Sequence, residues 1–304
     1  MGKQIFLLSV DGGGVRGKIV ATFLALLEKD LGATIYNTFD FFAGTSTGAL
    51  ITLGIAANQY SGSTISNLYE QPNLGRIFKK SLLYVPYVFG AKYQGESKSQ
   101  VFNEIFGTKR ILDIPKTALA TAYDFMNDKA VVFKSTKGTD SQFNPLISEV
   151  ADATTAAPTY FPSVVTTEYK PRNLIDGGII ANNPSMCLIS EALKQGYSLQ
   201  DIKLLSFGTG VNVLENFSDT SKNWGGVRWL KNGLIDDLML GDSSLAEYHS
   251  KMLLGKSYLR INGSLGKASD ALDDITDANL ANLEEAGQQW YNDNKKSLLE
   301  FFNI

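Results

Sequence analysis

The sequence predicts a three-layer α/β/α sandwich with a mainly parallel central sheet. Residues 4–10 form a short apolar run that ends at Gly12-Gly13-Gly14 and leads into helical spacing over 18–31. Residues 38–43 repeat the pattern, ending at Gly44 before a helical stretch over 47–58. Successive units of strand, tight turn and helix are built as parallel βαβ crossovers, because parallel neighbours need a long connection between them. A later run, 202–207, bounded by Gly208 and Gly210, adds a strand of the same kind.

The elements follow in order. Within 18–31, Ile19, Phe23, Leu26 and Leu27 recur at helical spacing and give one buried face. Residues 118–125 and 129–135 read as strands close enough to pair, and helices are expected over 97–106, 184–195, 242–254 and 277–302. Without an internal repeat, low-complexity tract or linker, residues 1–304 are expected to form a single domain. Residues 5–210 carry the motifs and 211–304 form a helical remainder.

Composition narrows the function. With 44% hydrophobic and 19% charged residues the chain reads as globular, neither disordered nor fibrous. Its 28 basic and 31 acidic side chains leave a net charge of −3, which provides no footprint for nucleic acid. One cysteine, Cys187, cannot form an internal disulfide and reads as a small core residue. The apolar run Ile5 to Val10 is shorter than the roughly 7–15 residues of a secretory signal or the roughly 20 of a spanning helix. The expected location is therefore cytoplasmic, or outside the cell by a route without an amino-terminal signal, with peripheral membrane contact. Two aromatic segments bear on that contact. Residues 81–95 read as a loop on the core or a flap over an apolar pocket, and the segment from Trp224 to Leu230 as interface or core.

Asp11 to Gly17 contains Gly12-x-Gly14-x-x-Gly17 between the first strand and first helix. A dinucleotide site would close the second strand with an acidic residue, whereas this strand ends in Ala43-Gly44-Thr45, and Asp11 would repel a pyrophosphate. Backbone N–H groups converging near a helix N-terminus remain, as an anion site or an oxyanion hole. Gly44-Thr45-Ser46-Thr47-Gly48 falls at the next strand-to-helix junction, where a nucleophile elbow belongs. The turn strains the serine so that its hydroxyl stands clear of the sheet, and the flanking glycines remove side chains that would collide.

A serine nucleophile needs a base. The order Ser46, Asp176, His249 formally permits a triad. Yet Leu245, Tyr248, Met252 and Leu253 read as the apolar face of a helix begun at Asp242, and His249 lies beside that face as an ordinary helical histidine. The remaining candidate is Asp176-Gly177-Gly178, which follows the run 173–175 and precedes Asn182-Asn183-Pro184. Such an aspartate either closes its own turn or takes the serine proton.

The three motifs, in this order, resemble those of the patatin-like phospholipases. The segment Ala153-Thr154-Thr155-Ala156-Ala157-Pro158-Thr159-Tyr160-Phe161-Pro162 and the strand ending Ser206-Phe207-Gly208-Thr209-Gly210 support the likeness, which covers 5–210. The resemblance implies a lipid acyl hydrolase of phospholipase A or lysophospholipase type, with Ser46 as nucleophile and Asp176 as its activating partner. It also implies an oxyanion hole at Gly12, Gly13 and Gly14, with Arg16 close by. Arg16 either pairs with Asp11 or another carboxylate to brace the loop, or assists an anionic substrate. Because a free aspartate has a pKa of about 4, the base is expected to be buried with a raised pKa. No cofactor or metal is expected. The implied partners are a phospholipid or other polar acyl lipid and, transiently, a membrane surface, with an activator left open. The alternatives are an acyltransferase using the same acyl-enzyme and a non-catalytic lipid-binding module.

Overall fold

The strands carry a period of two that sorts their side chains between two helical layers. In the computed structural model, which describes residues 3–82, 90–136, 143–166, 171–211, 225, 228 and 234–303, the chain runs as follows. It forms β1 (Ile5–Val10), α1 (Gly17–Leu31), α2 (Ile35–Thr38), β2 (Phe41–Thr45), α3 (Thr47–Asn58), α4 (Gly62–Leu68), α5 (Asn73–Ile77) and α6 (Gly95–Phe106). Next come β3 (Thr117–Asp124), β4 (Lys129–Lys134), α7 (Ile147–Thr154), β5 (Val164–Thr166), β6 (Arg172–Asp176), α8 (Gly178–Ala181) and α9 (Ser185–Lys194). The chain ends with β7 (Ile202–Phe207), α10 (Leu234–Leu254), β8 (Tyr258–Ile261) and α11 (Asp277–Phe302). Residues 83–89 of the aromatic segment 81–95 and most of 224–230 fall outside the described residues, and so do the flap and interface readings that rest on them.

Among the described residues eight strands form one mixed, mostly parallel sheet in the order β5-β6-β3-β2-β1-β7-β8, with β4 on β3. β1 pairs parallel with β2 and β7, as do β2 with β3 and β7 with β8. β4 and β6 run against β3, and β5 against β6. On β1, Leu8 and Val10 point into the core shared with α1, α3 and α11, whereas Ile5 and Leu7 point to the opposite core with Leu188, Ile189 and Ala192 of α9. The three layers follow from that alternation.

Two boundaries differ from the sequence expectation. β2 begins at Phe41 rather than 38, because Thr34 caps the one-turn helix α2 by accepting the Asn37 N–H at 3.2 Å. α10 begins at Leu234 rather than 242. Asp242 looks like a cap but instead accepts the Asn182 N–H at 2.6 Å from another segment. The apolar face read for this helix is also reversed: Leu245, Tyr248 and Met252 are 55%, 60% and 69% exposed. The inward stripe is Met239, Ser243, Ala246, Ser250 and Leu254, whose mostly small side chains let the helix lie close against α8 and α9. Cys187 is half-buried on α9 rather than in the core.

Candidate active site

Gly44 and Gly48 make the elbow possible. A Cβ on Gly44 would lie 2.3 Å from the Gly48 carbonyl carbon, and one on Gly48 would lie 2.1 Å from the Val10 oxygen. Between them Ser46 takes φ 53° and ψ −124°, a left-handed conformation that a side-chain-bearing residue holds only under constraint. Part of that constraint is visible: the Ser46 N–H donates to Thr154 Oγ1 at 2.9 Å.

The sheet brings Asp176 to the serine. β2 runs along one side of β3 as far as the pair Thr45 and Thr121. β6 takes over that same side from the next residue, pairing Ala122 with Asp176 in the opposite direction. The carboxyl ends of β2 and β6 therefore meet head to head, with Ser46 leaving one and Asp176 ending the other. Thr45 stitches the junction through its hydroxyl, 2.7 Å from Thr121 Oγ1 and 2.6 Å from the Ala181 carbonyl oxygen.

Asp176 is fully buried. Its Oδ1 accepts the Gly178 N–H at 2.8 Å, while Oδ2 has no full hydrogen bond. Burial pushes the carboxyl up to about 6, against the Ser46 hydroxyl, the Gly178 amide and the Lys98 charge, which all favour the ionised form. A carboxylate so placed is mostly ionised at neutral pH yet basic enough to take a proton.

The glycine loop is aimed by its carbonyls. Thr209 Oγ1 donates to the Gly12 oxygen at 2.7 Å, and both Arg16 Nε and its backbone N–H donate to the Gly13 oxygen at 3.2 Å. In a trans peptide the N–H opposes the C=O, so these contacts turn the Gly13 and Gly14 amides the other way. Gly14, at φ +58°, could not carry a side chain without meeting the Leu272 oxygen. The Gly12 amide departs from the expected trio, because it already donates to the Asn182 oxygen at 3.2 Å. Nor is Arg16 the partner of Asp11. That role belongs to Arg260, which binds Asp11 with two nitrogens at 2.8 and 2.5 Å and also reaches Ser206. Burial pushes the Asp11 carboxyl up and the Arg260 charge opposes the shift.

Ser46, Asp176, Gly12, Gly13, Gly14 and Arg16 all line one cavity of about 410 Å³, together with Ile51, Ile65, Leu74, Phe102 and Phe106. His249 is exposed on α10 against the Tyr248 ring and does not line the cavity. Sequence reasoning missed Thr154, Arg260 and Lys98. Lys98 carried a signal, since it lies three and four residues before Val101 and Phe102 on the buried face of α6. Among the described residues no three His, Cys, Asp or Glu side chains gather as metal ligands, and no helix is long and apolar enough to cross a membrane.

The family model of the patatin-like phospholipases matches residues 8–188, more than half the chain and both sides of this site. The chain belongs to the patatin-like phospholipase family. Among its relatives, Patatin-like protein 2 of Oryza sativa subsp. indica is 28% identical over 94% of this chain and 83% of its own length. Patatin-like protein 3 of Arabidopsis thaliana is 28% identical over 94% and 80%, and Patatin-T5 of Solanum tuberosum 27% identical over 95% and 84%. The crystal structure of VipD from Legionella pneumophila shares the fold, with a TM-score of 0.53 at 11% identity over 96% of this chain and 67% of that one. Membership in the patatin-like phospholipases supports a lipid acyl hydrolase.

Proposed function

We propose that the protein hydrolyses acyl esters of phospholipids or related polar lipids through a Ser46–Asp176 dyad. The observation that carries this reading is the meeting of β2 and β6, which sets a strained serine beside a buried carboxylate on the wall of a largely apolar cavity. Asp176 accepts the Ser46 proton as Oγ bonds to the ester carbonyl carbon, and the Gly13 and Gly14 amides receive the resulting oxyanion. Collapse of this intermediate expels the alcohol, which takes the proton from Asp176 and leaves an acylated Ser46. Water then repeats the step, giving its proton to Asp176 and releasing the fatty acid as Ser46 is reprotonated. The apolar lining at Ile51, Ile65, Phe102 and Phe106 suits an acyl chain. Arg16 braces the loop at the Gly13 carbonyl.

We also read residues 1–304 as one domain, because β8 extends the sheet beside β7 and α11 packs on α1. Fatty-acid release from a panel of phospholipids, galactolipids and neutral glycerides, with Ser46→Ala and Asp176→Asn as controls, tests the function. Wild-type release that both substitutions abolish is the expected result. Substantial release by Asp176→Asn would sink the dyad, and acyl transfer to added alcohols or thiols in place of hydrolysis would make the protein an acyltransferase.

A further inference from the structure

Lysine is seldom fully buried, because its ammonium must find partners to replace water. Lys98 of α6 is 1% exposed. Its Nζ lies 3.0 Å from the Asp152 carbonyl oxygen, 3.1 Å from Thr155 Oγ1 and 3.0 Å from Asp152 Oδ1. It also sits 4.5 Å over the Phe161 ring. All three oxygens belong to the last turn of α7 and its C-cap Thr155, where unpaired carbonyls concentrate negative potential that a cation relieves.

That turn holds both members of the dyad by their backbones. Thr154 Oγ1 accepts the Ser46 N–H at 2.9 Å, and two residues later the Ala156 oxygen accepts the Asp176 N–H at 3.0 Å. The relative placement of Ser46 and Asp176 is thus fixed by β3 beneath and by residues 152–156 alongside. We propose that Lys98 is a positioning residue for acyl transfer: it clamps the 152–156 turn that spaces Ser46 from Asp176, and it lines the same cavity as the Asp176 carboxylate. The proposal rests on the dyad reading above.

Four carboxylates on the surrounding elements already have partners of their own. Asp152 of α7 is paired with Lys98 itself, Asp124 of β3 accepts backbone N–H groups from Met126, Asn127 and Asn173, Asp242 of α10 holds the Asn182 N–H, and Asp11 is bound by Arg260. Burial lowers the pKa of Lys98, and the charges of Asp152 and Asp176 oppose the shift. The Lys98 charge favours the ionised form of Asp176, so Asp176 should register its removal.

The test measures kcat and KM for a soluble ester, and the rate of fluorophosphonate labelling of Ser46, across pH for wild type, Lys98→Met, Lys98→Arg and Thr154→Val. Lys98→Met should lower kcat by about 10- to 100-fold with KM little changed, the scale set by small misplacements of reacting groups. It should also move the acidic limb of the profile to higher pH. Lys98→Arg should restore most of the rate and the position of the limb. Thr154→Val, which keeps the charge, should lower kcat with the limb in place. A labelled wild type together with a Lys98→Met protein of unchanged kcat and unchanged limb would overturn the clamp, even if its melting temperature fell. Should Lys98→Met fail to fold, unchanged kcat in Thr154→Val overturns the proposal and reduced kcat supports it. A wild type that neither labels nor hydrolyses overturns the dyad, and the clamp with it.

Discussion

In the proposed dyad Asp176 must ionise in a place where ionisation is costly. Its pKa of about 6 in the fold stands above the 3.8 of an ordinary aspartate, so the neutral form is the one the interior favours. The sign follows: this group's contribution to stability is fully present below pH 3.8 and is lost as the pH rises through about 6. At neutral pH the loss is about 3 kcal/mol, taking 1.36 kcal/mol per pKa unit. Asp176→Asn should therefore abolish turnover yet raise the melting temperature at pH 8, with the gain fading as the pH approaches 4, as calorimetry across pH can follow. In the wild type, kcat/KM should fall on the acid side with an apparent pKa of about 6. At the glycine loop, Thr209→Val removes the hydroxyl that turns the Gly12 carbonyl. Steady-state kinetics should show kcat lowered about tenfold with KM little changed, less than the 10²–10³ that loss of an oxyanion donor costs.

At the level of elements, the elbow is the most exacting piece. Gly48→Ala would press a methyl group against the Val10 and Asp11 carbonyl oxygens, both backbone atoms that cannot step aside. The expected loss is about 1–3 kcal/mol in urea unfolding, the usual cost of overpacking, together with loss of fluorophosphonate labelling. This element was legible in the sequence because its requirements are local: two glycines, one serine, and a strand passing into a helix. The α10 face was misread for the opposite reason. Periodicity arguments assume that large apolar side chains point inward, whereas here Ser243, Ala246 and Ser250 do so because the helix lies close to its neighbours, leaving Leu245, Tyr248 and Met252 outside. Lys98 sits between these cases. Its helical position marked it as buried, but what it binds could only be seen once α6 and α7 were side by side.

Across the whole molecule, the mainly parallel character of the sheet was readable from repeated strand and helix units, but the takeover of β3 from β2 by β6 was not, since nothing local specifies which strand an antiparallel segment joins. The partner of Asp11 was hidden likewise, 249 residues away at Arg260. Arg260→Met would leave Asp11 buried without its counter-charge, at a cost of about 3–5 kcal/mol. Because protonation relieves that charge, the deficit measured by urea unfolding should shrink at acid pH, and Asp11→Asn combined with Arg260→Met should recover part of the stability.

The same ion pair has a consequence in time. All three motifs have been made once synthesis passes Gly178, but the counter-charge of Asp11 and the Leu272 carbonyl that receives the Val15 N–H come from residues made much later. A growing chain can display Ser46 long before the glycine loop beside it is secured, so the pocket around the serine is completed only after residues 260–272 have been made and have folded against that loop.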